Sequence, residues 1–193
     1  NTALNYPVTT VDRIEGFSDI DLIQILLSDE NGELKSTSQL DTEVFNAISK
    51  TNELGRHVVL HVMDQSKLGY QSPSEKMVQS LDQLDKLSMQ IIVDASQLRL
   101  DPKDIQNYLN KGCIVTITGS KYFTGPPYSG ALIIPKKTSQ SIQTVKVKMP
   151  EGLNNYYNRS DWPISWHCST DLSDGFNYGS NMRWNAAIVE MDR

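Results

Sequence analysis

Asp94 ends the apolar run MQIIVD (89–94), and Lys121 follows the apolar run CIVTIT (113–118) through the polar link Gly-Ser. A lysine amine is a cation when protonated and a nucleophile when not, so one held at a fixed place can do chemistry that a mobile surface lysine cannot. An ionised carboxylate at the end of a buried strand is costly to desolvate unless it meets a cation or hydrogen-bond donors. Asp94 therefore asks for a positive partner. Similar polar residues close the other apolar runs: Asp64 and Ser66 follow HVVLHVM (57–63), Gln97 lies three residues past Asp94, and Ser120 immediately precedes Lys121. In an open α/β sheet, ligands collect at the carboxyl ends of the strands. Should these runs be strands of one such sheet, the six side chains share an edge. Plainer readings stand beside this one: Asp94 as the cap of the turn after it, Lys121 as a solvated loop charge.

Other chemistries are poorly supplied. TITGSK lacks the glycine spacing of a phosphate-binding P-loop, and no G-x-G-x-x-G occurs, which weighs against a nucleotide-binding domain. His57 and His61 alternate along one strand with no third ligand nearby, and His167 with Cys168 is an equally poor metal pair, so packing is the expected role of all four and no metal is expected. Cys113 sits in an apolar run, as a buried free thiol does. Asn158-Arg159-Ser160 matches a glycosylation acceptor, without secretory features to accompany it. The chain of 193 residues is 38% hydrophobic and 21% charged, with a formal net charge of −5. That balance fits one globular domain and lacks the basic excess of a nucleic-acid or anionic-membrane surface. No apolar run approaches the roughly 20 residues that span a bilayer. A soluble, cytoplasmic protein is expected.

The elements that must position these residues alternate. Leu22–Leu27 (LIQILL) before DENG predicts a strand leaving into a turn. Leu40, Val44, Ala47 and Ile48 predict a helix capped by Ser38 and stopped by Gly55, and HVVLHVM predicts a strand buried on both faces. SPSEKMVQSLDQLDKLS predicts a helix with Met77, Leu81, Leu84 and Ser88 on one stripe. MQIIVD, a helix capped by Asp101 with Pro102 in its first turn and Gly112 at its end, CIVTIT, and SGALIIP complete the alternation. Strands separated by single-stripe helices predict α/β architecture, three-layer α/β/α, with a mostly parallel sheet. Beyond Lys136 the pattern loosens into a long aromatic, polar stretch of the kind that is more often functional than idle. A last helix is expected from a Ser180 cap, with Trp184, Ala187, Ile188 and Met191 on its stripe.

The segments VDASQ and TGSKYFTGPPYSGAL, with SKLG (66–69) upstream, resemble the pyridoxal-phosphate enzymes of fold type I, in the branch of class V aminotransferases, cysteine desulfurases and kynureninases. The resemblance covers about residues 57 to 135. It implies a pyridoxal 5'-phosphate cofactor, Lys121 as the catalytic lysine that carries it as a Schiff base, and Asp94 as partner of the protonated pyridine nitrogen. Lys121 follows Asp94 by 27 positions (121 − 94 = 27), a spacing similar to the family's. Gln97 and Ser66 are implied near the cofactor's phenolic oxygen and Ser120 near its phosphate. Arg183 in NMRWNAA resembles an arginine-aromatic element of the family, with a helix-surface arginine as its plainer reading.

The family's phosphate loop and ring-stacking residue find no counterpart in residues 1 to 56. The chain opens without Met and closes inside a helical stripe, so residues 1–193 are expected to be part of the large domain, truncated, without the small C-terminal domain. The resemblance further implies a homodimer and an amino-acid-like small-molecule substrate, with transamination, elimination and decarboxylation all open. The competing expectation is a non-catalytic α/β interaction or regulatory domain that keeps the scaffold.

Overall fold

The computed structural model describes residues 20–67, 69–82 and 87–192. Their order is α1 (Thr37–Glu53), β1 (Val58–Met63), α2 (Glu75–Asp82), β2 (Met89–Asp94), α3 (Pro102–Asn110), β3 (Ile114–Thr118), β4 (Gly130–Ile133), α4 (Lys136–Gln143) and α5 (Tyr178–Met191), with three short 3-10 turns between α4 and α5. The architecture is α/β around one four-stranded sheet in the order β1-β2-β3-β4. β1, β2 and β3 run parallel, and β4 returns antiparallel to β3.

The register sets the core. Val62, Val93, Val115 and Ile133 form one row across the sheet, and the three valines are completely buried. Each such side chain contributes about 1.5–3 kcal/mol by leaving water. Val44 and Ile48 of α1, Met77, Val78 and Leu81 of α2, and Tyr108 of α3 join that row in a single cluster. Two successive crossovers that step the same way across a parallel sheet, both of the usual right hand, put their helices on the same side. The opposite face is open among the described residues: Val59 is 52% and Leu132 60% exposed, and His61 is exposed beside them. The expectation that β1 is buried on both faces is thereby corrected.

Other expectations need correction at the ends of elements. Leu22–Leu27 is not a strand; only an isolated Ser28–Leu34 bridge forms there, and Leu22, Ile23 and Leu26 are exposed. An apolar run becomes a strand only where a partner edge accepts its backbone groups. The turn after it forms as expected, with Asp29 accepting from Asn31 and Glu33 and Gly32 in the left-handed region. α1 is capped by Ser36, not Ser38: its hydroxyl accepts from the Gln39 amide while the Gln39 side chain accepts from the Ser36 amide. α2 ends its described span at Asp82, Ser88 lies beyond it before β2, and Leu84 falls outside the described residues. α5 begins at an Asn177 cap, whose side-chain Oδ1 accepts from the Ser180 amide. Of its expected stripe only Ala187 is buried. α3 carries the Asp101 cap, Pro102 start and Gly112 exit that its sequence requires.

α4 (KKTSQSIQ) has no sequence counterpart, because it buries no residue and carries no apolar stripe. The irregular stretch after it builds a small core of its own, with Trp166, Cys168 and Leu172 buried and Trp162 meeting Trp166 edge to face at 5.8 Å. Cys113 and Cys168 are buried and form no disulfide. No helix among the described residues is long and apolar enough to cross a membrane.

Candidate functional site

Because β1, β2 and β3 are parallel neighbours, their carboxyl ends lie side by side, with Met63 opposite Asp94 and Asp94 opposite Thr116. Asp64, Ser66, Asp94, Gln97, Ser120 and Lys121 therefore fall on one edge of the sheet. Strand alternation then divides them. Asp94 stands on the open face with His61 and Thr116. Asp64 continues the Leu60–Val62 side and turns into the helical layer, where it is only 5% exposed and its carboxylate accepts a hydrogen bond from Tyr108 at 3.2 Å.

That difference pushes the two carboxyls in opposite directions. Burial pushes the Asp64 carboxyl above the usual range, Tyr108 partly offsets this, and the nearby Asp104 and Glu75 charges add to the rise. The same burial, together with Asp64, pushes the Tyr108 phenol well above its ordinary value. Partial burial would raise Asp94 too, but hydrogen bonds from Ser96 and the positive charge of Lys121 outweigh it and hold the carboxyl below the usual range. Asp94 caps its turn as well, accepting from the Ser96 amide at 2.9 Å. Lys121 is exposed and makes no ion pair within 4 Å among the described residues, yet its charge acts on Asp94. An ionised carboxylate and an amine thus lie near one another on adjacent strand ends without touching.

The remaining expected residues behave differently from one another. Gln97 is 9% exposed, and its side-chain amide makes no hydrogen bond among the described residues. The Ser66 hydroxyl accepts from the Tyr70 amide at 3.0 Å, inside the turn that Gly69 allows. Ser120 pairs with the Thr118 hydroxyl at 2.9 Å. His57 meets the Ser88 hydroxyl at 2.9 Å, and among the described residues no three His, Cys, Asp or Glu side chains gather as metal ligands do.

The loop that carries Lys121 is held from a distance. Gly125 donates to the Gly119 carbonyl at 2.9 Å, closing the turn, and Ala187 of α5 is fully buried against it. A Cβ at Gly119 would stand 2.5 Å from the Ala187 Cβ, and one at Gly125 would stand 2.7 Å from it. Trp184 of the same helix donates to the Gly130 carbonyl at 3.3 Å. Two arginine-tyrosine stacks flank the loop, Arg99 over Tyr122 at 5.6 Å and Arg183 over Tyr128 at 5.9 Å. Arg183 is therefore not a bare helix-surface arginine. None of these contacts has a local signal beyond the small residues Gly119, Gly125 and Ala187.

Backbone strain gathers at the same edge. The non-glycine residues with positive φ among those described are Leu98 (48°), Thr124 (55°) and Tyr128 (65°), all in the two loops that carry Gln97 and Lys121. Left-handed backbone costs an ordinary residue about 1–2 kcal/mol, and a β-branched threonine is an outlier there. Such strain clusters at functional sites. The better-formed surface hollows lie elsewhere, one beside His167 and Asp171 and one beside Lys111 and Lys136. The first hollow joins Asp171 to Lys146 and Lys148, but the strained backbone gathers at the strand ends and at neither hollow. No protein-family model matches the chain, no curated protein matches it, and no solved structure matches it.

Proposed function

We propose that this chain is part of the large domain of a fold-type-I pyridoxal 5'-phosphate enzyme, in the class V aminotransferase branch, acting on an amino acid or related amine. The observation that carries the reading is the ionised Asp94 carboxylate within reach of the Lys121 charge across neighbouring strand ends. Gln97 is mostly buried on that edge, and its side-chain amide, which is not closed off from solvent, is free to meet a bound group. In this reading Lys121 holds the cofactor covalently, Asp94 pairs with its pyridine nitrogen, Gln97 and Ser66 serve its phenolic oxygen, and Ser120 its phosphate. Bound there, pyridoxal phosphate supplies a sink for electrons released at the substrate's α-carbon.

The chain's own residues supply the rest. A carboxylate kept ionised at neutral pH favours a proton on any basic nitrogen brought against it. Lys121, an amine at the end of a loop clamped by α5, can carry a proton to and from a substrate carbon. A homodimer in the cytoplasm belongs to the same proposal. So does the three-layer form, which requires further helices over the face of Val59, His61 and Leu132.

A second reading, a non-catalytic domain that keeps the scaffold, draws on the Ser66 and Ser120 hydroxyls, both engaged within their own turns. One experiment separates the two. Pyridoxal phosphate added to the protein should give a visible absorption band, and borohydride should then fix the cofactor on Lys121 in a peptide map. A label on another lysine, or no band from the full-length protein, overturns the enzyme reading.

A further inference from the structure

Arg99 has no role in the proposal above. It follows Gln97 by two residues, and the left-handed Leu98 between them, whose amide donates to Ala95 at 2.8 Å, turns the chain sharply just before it. Its guanidinium lies over the ring of Tyr122, the residue next to Lys121. The stack thus ties the Asp94–Gln97 loop to the Lys121 loop. The contact places the guanidinium carbon 5.6 Å from the ring centroid, a cation–π distance that uses none of its N–H donors in a hydrogen bond.

Those donors lack an acidic partner. Arg99 is exposed and has no carboxylate within 4 Å among the described residues. Asp94 accepts from the Ser96 amide and Asp101 caps the Lys103 amide at 2.8 Å, and neither forms an ion pair with Arg99. A fork of donors, fixed on an aromatic ring beside a second cation, suits a planar or tetrahedral oxyanion, which it can grip through two bonds.

We infer that Arg99, held by Tyr122, is an oxyanion-binding residue of the Lys121 edge, taking a phosphate or carboxylate carried by the molecule bound there. Which molecule carries that anion rests on the proposed function; the anion site does not.

The test begins without any cofactor. Inorganic phosphate and malonate are titrated into the 193-residue chain at constant ionic strength, and binding is followed by calorimetry. Arg99→Gln should bind both about tenfold more weakly, Arg99→Lys should fall between, and Tyr122→Leu should weaken binding with the arginine intact. Circular dichroism and melting in chloride should be unchanged for Arg99→Gln, since Arg99 is exposed. Equal binding by wild type and Arg99→Gln, or none by wild type, overturns the inference. Comparing pyridoxal phosphate with pyridoxal then identifies the source. A loss in Arg99→Gln confined to the phosphorylated form assigns the cofactor's phosphate. An unchanged cofactor affinity, with weaker capture of dicarboxylic than of monocarboxylic amines, assigns a substrate carboxylate. Failure of pyridoxal phosphate to label Lys121, with phosphate binding still dependent on Arg99, removes the cofactor reading and keeps the anion site.

Discussion

Asp64 and Asp94 close neighbouring parallel strands, yet the two sides of the sheet make different groups of them. On the helix-packed side Asp64 is buried against Tyr108 and its carboxyl is pushed up, whereas on the open side Asp94 is exposed and its carboxyl is held down. Position along the strand is nearly the same; the face is not. At Asp64 burial and two acidic neighbours outweigh the Tyr108 hydrogen bond and raise the carboxyl, while at Asp94 donors and a nearby ammonium favour the anion. The second is the better placed of the two to serve as the counter-ion of a bound cation, being exposed and held below the usual range.

The largest effect expected from this contrast is at Lys121. Lys121→Ala should abolish cofactor labelling and lower any amine-dependent turnover by about 10²–10⁴-fold, the usual range for loss of a proton-transfer group. Labelling that persists in this variant would move the chemistry away from the open side. Next comes Asp94→Asn, which removes a charged partner and should weaken pyridoxal phosphate about ten- to hundredfold in a spectroscopic titration. The urea midpoint should change little, because Asp94 lies outside the packed side. An unaltered cofactor affinity would leave Asp94 as nothing more than the cap of the Ser96 turn.

Gly119→Ala tests whether α5 positions the lysine loop. The added methyl meets Ala187, which has no rotamer to yield, so about 1–3 kcal/mol of stability should be lost together with labelling. A variant with wild-type stability and labelling would show the clamp to be loose. The smallest effect is expected at Asp64. Its folded value lies above its unfolded one, so the stability it contributes is complete below the usual carboxylate range and is lost as pH rises through the raised value. Asp64→Asn should flatten the part of the pH–stability profile above that range and leave labelling of Lys121 intact. A profile that keeps its slope would place the titration elsewhere.

Much of the scaffold was legible locally. α3 carries its own start, stop and stripe within twelve residues, Asp101 to Gly112, and β2 and β3 are short apolar runs between breakers. Leu22–Leu27 looked the same to a local reading and failed, because pairing depends on an edge that the run itself does not contain. α4 was illegible for the opposite reason: apart from Ile142 it is polar, and it buries nothing. At the site, Asp94, Gln97 and Lys121 could be found because they end strands. Arg99 on Tyr122, Arg183 on Tyr128 and Ala187 on the Gly119–Gly125 turn could not, since each contact joins segments far apart in the chain.

The amino-acid order by itself determined where strands end, and so which polar side chains gather on one edge, because apolar runs and their breakers are local properties. Which of those side chains faces packed helices and which faces the open side was decided only by the tertiary structure. Alternation along a strand fixes relative direction, but the absolute direction depends on where the crossover helices come to rest. That choice made Asp64 a structural acid and left Asp94 ionised beside Lys121.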